Sequence, residues 1–274
     1  MDSNEKISMG GANKQPSNSI PDQFIDTEFV VPTEEVELPS GGVFYPTKKP
    51  TVKIKYLTAS EDDILFSADL IKSGKVLDVL LENAVLDRDV RPDDMISGDR
   101  NYLLIEIRKT GFGSEYKPGK VFCSECGETH TPTVNLDLLQ KRKLEVMPDE
   151  KGWYSVELPV TKMPIKFRLL RGSDEKRLSK MMDIGQKKGG LKVSKLVTER
   201  YLLQIMEVNG NTDKLYISKF IGAMPTKDSL FFREYNRQIE PGIDLDYDFE
   251  CPHCGNVDRQ AVPINSKLFY PDSE

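Results

Sequence analysis

Apolar and polar residues alternate over positions 51–57 and again over 165–170, a period of two that predicts a half-buried strand in each place. Each strand is followed by helical spacing. After the first, Ile64, Leu65, Ala68 and Ile71 fall on one face of a helix opened by Ser60 and Asp63 and closed near Gly74. Residues 75–86 and 99–110 read as two further helices. After the second strand, Ser173 with Asp174 and Glu175 reads as a helix start, residues 191–208 as a long amphipathic helix, and 214–221 and 227–239 as shorter ones.

The parts recur in order. Val36-Glu-Leu-Pro39 returns as Val156-Glu-Leu-Pro159, residues 51–65 align with 164–178 without a gap, and each series ends in Cys-x-x-Cys-Gly. This predicts an internal duplication over roughly 36–140 and 156–274. The expected fold class is α+β, with two related strand-helix halves, 29–145 and 146–274. Residues 1–28 are rich in Ser, Asn, Gln and Gly and poor in apolar residues, so they are expected to form a disordered N-terminal arm.

Composition narrows the function classes. Of 274 residues, 38% are hydrophobic and 30% charged, as in an ordinary globular protein. No apolar run approaches the length of a membrane span, and the first residues lack the pattern of a secretory signal, so no membrane insertion and a cytoplasmic residence are expected. A net charge of −6 argues against phosphate neutralisation as the main task. The short basic cluster of Lys187, Lys188, Lys192 and Lys195 reads as a solvated loop and helix end.

The sharpest chemical signal lies in the four cysteines, Cys123-Ser-Glu-Cys126-Gly127 and Cys251-Pro-His-Cys254-Gly255. Two intervening residues let one tight turn aim both sulfurs at one ion, and the following glycine supplies the positive φ such a turn needs. Two such knuckles complete a tetrahedral Zn2+ site of the zinc-ribbon kind. The spacing is unusual, since 124 residues lie between Cys126 and Cys251. A shared structural zinc would therefore clamp remote parts of the chain. Two alternatives stay open. One is a redox-active dithiol at Cys251 and Cys254, although Gly255-Asn-Val-Asp258 is a poor helix start. The other is separate, uncoordinated thiols.

Four cysteines close a metal shell and leave no position for substrate. His130 and His253 are the only histidines; each sits close enough to a knuckle to support its sulfurs, but both read as exposed loop residues. Asp93, Asp94, Asp244, Asp246 and Asp248 read as turn and solvated strand positions. Phe44-Tyr-Pro46 and Phe269-Tyr-Pro271 read as local packing at strand ends. No catalytic set and no small-molecule substrate are expected.

Taken in order, a longer series of segments resembles the T4-type bacteriophage baseplate hub protein family, in its zinc-ribbon-containing form. The segments are Val36 to Pro46, Lys55 to Leu65, Gly98-Asp-Arg100 with Gly111 to Tyr116, Met224 to Ser229, Pro241 to Leu245, Val262-Pro-Ile264 and Phe269 to Asp272. The ending Phe269-Tyr270-Pro271 departs mildly from the Phe-Phe-Trp-Pro common in that family. The resemblance implies a non-enzymatic structural or assembly component, hub or wedge, of a contractile tail's baseplate. Its partners would be other phage baseplate and tail proteins, and its location the virion baseplate or the host cytoplasm during assembly. The alternative is a cytoplasmic zinc-ribbon protein that binds nucleic acid. A basic face around the knuckles would favour it, whereas Asp244, Asp246, Asp248 and Glu250 outnumber Arg259 there.

Overall fold

In β1 (Thr33–Glu37) and β2 (Thr51–Lys55), the alternation seen in the sequence becomes an antiparallel hairpin. Val52 and Ile54 point into the core and Lys53 points out, and Val36 lies opposite Val52. The computed structural model describes residues 30–187 and 195–269. The expected arm over 1–28 lies outside the described residues, as do Lys188 and Lys192 of the basic cluster. From Pro32 onward the described chain forms a single body. The connection between β1 and β2 folds back on itself at Gly42, where φ is +76° and a β-carbon would sit 1.9 Å from the carbonyl oxygen of Lys49, so only glycine fits.

Three helices follow: α1 (Ala59–Leu65), α2 (Ala68–Lys72) and α3 (Val76–Ala84). The cap of α1 is Thr58, two residues before the expected Ser60. Glu61 is long enough to reach back, and its Oε2 accepts the Thr58 N–H at 3.0 Å and hydroxyl at 2.6 Å. Its other oxygen takes Lys55 at 2.6 Å. The helix expected to run to Gly74 breaks at Ser67, whose hydroxyl accepts from Leu70 N–H and starts α2 afresh. After α4 (Ser97–Phe112) come five two-residue strands: β3 (Glu115–Tyr116), β4 (Val121–Phe122), β5 (Thr129–His130), β6 (Val134–Asn135) and β7 (Lys141–Arg142).

A second hairpin, β8 (Tyr154–Glu157) and β9 (Pro164–Phe167), leads into α5 (Gly172–Lys187) and α6 (Leu196–Gln204). The helix expected through Val208 stops at Gln204. Ile205–Val208 is instead β10, which pairs with β9 and buries Ile205 and Val208 at its ends. Pairing with an existing strand wins over helical spacing there. The chain ends with α7 (Lys214–Ala223), α8 (Thr226–Ile239), β11 (Gly242–Ile243), β12 (Asp246–Glu250) and β13 (Val257–Ala261). Among the described residues one sheet has three strands, in the order β10-β9-β8, and the others have two. Helices and antiparallel strands are thus mixed as an α+β fold.

Two contacts recur at the spacing of the gapless alignment, and two strand pairings recur with one partner at that spacing and the other seven residues further on. Lys55 with Glu61, and Glu61 with the Thr58 N–H, correspond to Arg168 with Asp174 at 2.6 Å and Asp174 with the Arg171 N–H at 2.9 Å. Val36 faces Val52 as Val156 faces Ile165. The bridge between Ile54 and Val85 has its counterpart in the pairing of Phe167 with Ile205.

An aspartate in the first turn of a long helix bolts down each hairpin connection. Fully buried Asp99 on α4 accepts the Ser40 N–H at 3.0 Å, the Ser40 hydroxyl and the Tyr45 hydroxyl at 2.6 Å. Asp228 on α8 accepts the Val160 N–H at 2.7 Å, the Thr161 N–H at 3.0 Å and the Thr161 hydroxyl at 2.8 Å. Burial pushes the Asp99 carboxyl up from the usual range, against the pull of its donors.

Two main cores result. The first gathers Val52, Ile54, Leu80, Leu81, Leu103 and Leu104 from the early elements, and Ile243, Val262, Leu268 and Phe269 return to it from the far end of the chain. Buried Arg108 fixes that return, donating to the Leu268 carbonyl at 3.3 Å and to the Glu115 carbonyl at 2.6 Å. The second core is aromatic: Phe167 meets Phe232 edge-on at 5.0 Å, and Tyr201 meets Phe232 at 5.1 Å. Replacing Asp99 with Ala strands the Ser40 N–H and the Tyr45 hydroxyl in a dry site and is expected to cost about 3 kcal/mol in urea denaturation. A loss below about 1 kcal/mol would show that the bolt contributes little.

Candidate metal centre

Hairpin geometry places the cysteines. β4 pairs with β5, and the chain between them turns so that the Cys123 N–H donates to the Glu128 carbonyl at 2.9 Å and the Gly127 N–H to the Cys123 carbonyl at 3.1 Å. β12 pairs with β13, and its tip repeats the pattern: Cys251 N–H to the Asn256 carbonyl at 2.8 Å, Gly255 N–H to the Cys251 carbonyl at 2.8 Å. Gly127 and Gly255 take φ of +76° and +74°. The predicted role of these two glycines is therefore the observed one.

The two tips meet. Cys123 Sγ lies 3.7 Å from Cys254 Sγ, Cys126 Sγ lies 3.7 Å from Cys251 Sγ, and all four sulfurs fall within 4.8 Å of one another. These separations are far too long for disulfides, and all four cysteines are free. A tetrahedron with metal–sulfur bonds of about 2.3 Å has edges of about 3.8 Å, so the group could hold one metal ion with little adjustment. Among the described residues it is the one set of three or more Cys, His, Asp or Glu whose ligand atoms converge in this way.

The electrostatics favour a cation. Backbone N–H groups of Cys126 and Glu125 hold the Cys123 thiol down at about 7. The Glu128 N–H pulls Cys126 in the same direction, but burial and the neighbouring thiols drive that group up to about 12. Four thiols this close oppose one another's ionisation, and a divalent ion removes the opposition. A redox dithiol fits less well, because Cys251 and Cys254 sit on a hairpin tip with no helix N-terminus to stabilise a lone thiolate.

Surrounding residues complete the centre. Cys123 and Cys251 are buried against Val121 and Phe249. His130, expected as an exposed loop residue, is half-buried, with Nε2 3.4 Å from Cys251 Sγ and its ring 5.9 Å from that of Phe249. His253 is exposed. Asp258 on β13 accepts the Ser124 N–H at 2.9 Å and hydroxyl at 2.5 Å, tying one knuckle to the other. Asn256 Nδ2 lies 3.3 Å from Ser124 Oγ and 4.0 Å from Cys123 Sγ. Sequence reasoning missed Ser124, Asn256 and Asp258, since a polar turn residue carries no periodicity and its partner is remote.

The other residues singled out in the sequence go elsewhere. Tyr45 is a core residue bound to Asp99, and Phe269 is buried against Phe112. Asp246 pairs with Arg259 at 3.0 Å, with Asp244 at 3.7 Å from the same guanidinium, and Asp93 pairs with Lys176. Among the described residues no helix is long and apolar enough to cross a membrane.

A profile of the T4 bacteriophage base plate protein family matches residues 31–266, a span that takes in both knuckles. The chain belongs to that family. No curated protein and no solved structure gives a match. Membership gives this base plate protein a structural role in a phage baseplate, among other tail proteins, and points away from catalysis. Within the metal centre, replacing Asp258 with Ala is expected to free Ser124 from the opposite knuckle. Its amide then exchanges with solvent faster than in the wild type, read by hydrogen exchange, and an unchanged rate would show that the sulfurs alone hold the tips together.

Proposed function

We propose that the protein is a non-enzymatic structural or assembly component, hub or wedge, of the baseplate of a contractile-tailed phage. In this reading one structural Zn2+ bound by Cys123, Cys126, Cys251 and Cys254 stabilises it. The family match over 31–266 carries the role. The convergence of four sulfurs on one point supports the metal, and an all-thiolate donor set is the one zinc prefers in structural sites. When bound, the ion would supply cross-linking only, because four cysteines fill its shell. The protein's own residues would orient it: His130 and Asn256 at the sulfurs, Asp258 across the tips.

The chain is further proposed to consist of two related halves, 29–145 and 146–274, descended from a duplication. The matching hairpin registers, the two ion pairs that cap helices and the two aspartate bolts support this reading. The protein would meet its partners in the host cytoplasm during assembly. The nucleic-acid alternative gains no support beside the knuckles, where Arg259 is already engaged by Asp244 and Asp246.

Purification of the tagged full chain from infected cells tests the reading. The wild type is expected to carry about one zinc per chain and to bring down tail proteins, and Cys251→Ser to lose the metal, melt at lower temperature and bring down less. Recovery of nucleic acid or transcription proteins in place of tail proteins would overturn it.

A further inference from the structure

Beside the metal centre β12 has a strand edge that the fold begins to cover and then leaves open. The Val262 N–H donates to the Leu245 carbonyl and the Cys251 N–H to the Asn256 carbonyl, both at 2.8 Å, so odd-numbered residues of β12 face β13. Antiparallel alternation then sends the backbone groups of Asp246, Asp248 and Glu250 to the other side, where the Asp246 N–H is taken by Asp244 Oδ1 at 3.2 Å and the edge at Asp248 and Glu250 stays open. Just upstream that side is filled: Gly242 pairs with Arg142 in β7, and the Asp244 N–H donates to the Gln140 carbonyl at 2.8 Å. Among the described residues no strand continues past that point, and β12 has β13 as its one neighbour. A groove of about 630 Å³ runs along the open edge, with the segment 131–135 as its opposite wall and Tyr247 and Leu138 among its lining. Leu138 is 79% exposed, although leucine gains from burial.

Charge identifies the occupant. The lining carries three carboxylates, those of Asp246, Asp248 and Glu250, and no lysine or arginine. Arg259 engages Asp246, whereas Asp248 and Glu250 are exposed and have no ion pair among the described residues. We propose that this edge is a docking site for an extended, lysine- or arginine-bearing segment of a partner protein, which adds to β12 as a further strand. Main-chain hydrogen bonds to the outward groups hold the segment, its basic side chains face Asp248 and Glu250, and an apolar residue between them covers Leu138. Five strand residues span about 17 Å, so a segment of about five residues fills the edge. The inference deepens the reading of the protein as a component that binds other proteins, and it rests on that reading. Its test is separate, because it uses the isolated chain and needs no baseplate.

The probes are two capped hexapeptides, (Lys-Val)3 and (Glu-Val)3, titrated into the full chain at low salt, with amide exchange followed residue by residue. The expected result is binding of the basic peptide at least about tenfold tighter than the acidic one. The amides of Asp248 and Glu250 become protected, and added salt weakens binding. The double variant Asp248→Lys, Glu250→Lys keeps its metal content and melting temperature and reverses the preference. Equal affinity for the two peptides, protection away from β12, or a chain that dimerises through this edge without any peptide would overturn the proposal. A chain that binds the basic peptide as described yet recovers no tail proteins from infected cells would instead count against the baseplate reading alone.

Discussion

Four cysteine sulfurs meet within 4.8 Å although Cys126 and Cys251 stand 125 positions apart in the chain. Thiols held so close oppose one another's ionisation, and a metal ion, which this group could hold, would turn that opposition into a cross-link. A cross-link closing a loop of this length removes on the order of 5 kcal/mol of unfolded-chain entropy by the usual loop-closure argument. That is comparable to the net stability of a whole small domain. The position of β12, the engagement of Asp258 with Ser124 and the burial of Phe249 all follow from the meeting of the two tips.

The rest of the body anchors both cysteine-bearing tips. On one side the knuckle hairpin follows α4 with the short strand β3 between them. On the other, β11 leads into β12 and lies against the start of α4 so closely that a β-carbon on Gly98 would sit 1.8 Å from the Pro241 carbonyl oxygen. Any other residue at position 98 would force the strand away from the helix. Arg108 then binds the Leu268 carbonyl, and Phe269 enters the first core. The four-cysteine cluster is thus the far end of a continuous packing path and not a separate appendage.

What the sequence made legible was local and periodic. The strands at Thr51–Lys55 and Pro164–Phe167 alternate strictly, and the knuckles carry both their ligands and their glycines within five residues. What it hid was set by partners far along the chain. Ile205–Val208 has helical spacing, but β9 is there to receive it. Thr58 caps α1 because Glu61 also needs Lys55, a contact invisible from the Ser60 pattern. Asp99 and Asp228 look like ordinary first-turn acids until Ser40, Val160 and Thr161 arrive. Both bolts hold the connection of a strand hairpin, but they stand 129 positions apart, so the 113-residue spacing of the aligned segments does not lead from one to the other.

Sulfur coordination is the claim on which this account turns, and X-ray absorption at the zinc edge addresses it most directly. The expected spectrum is that of four sulfurs at about 2.3 Å from a single zinc in the full chain, with no nitrogen or oxygen neighbour. A protein that purifies without metal, or a shell with two sulfurs completed by lighter atoms, would contradict it.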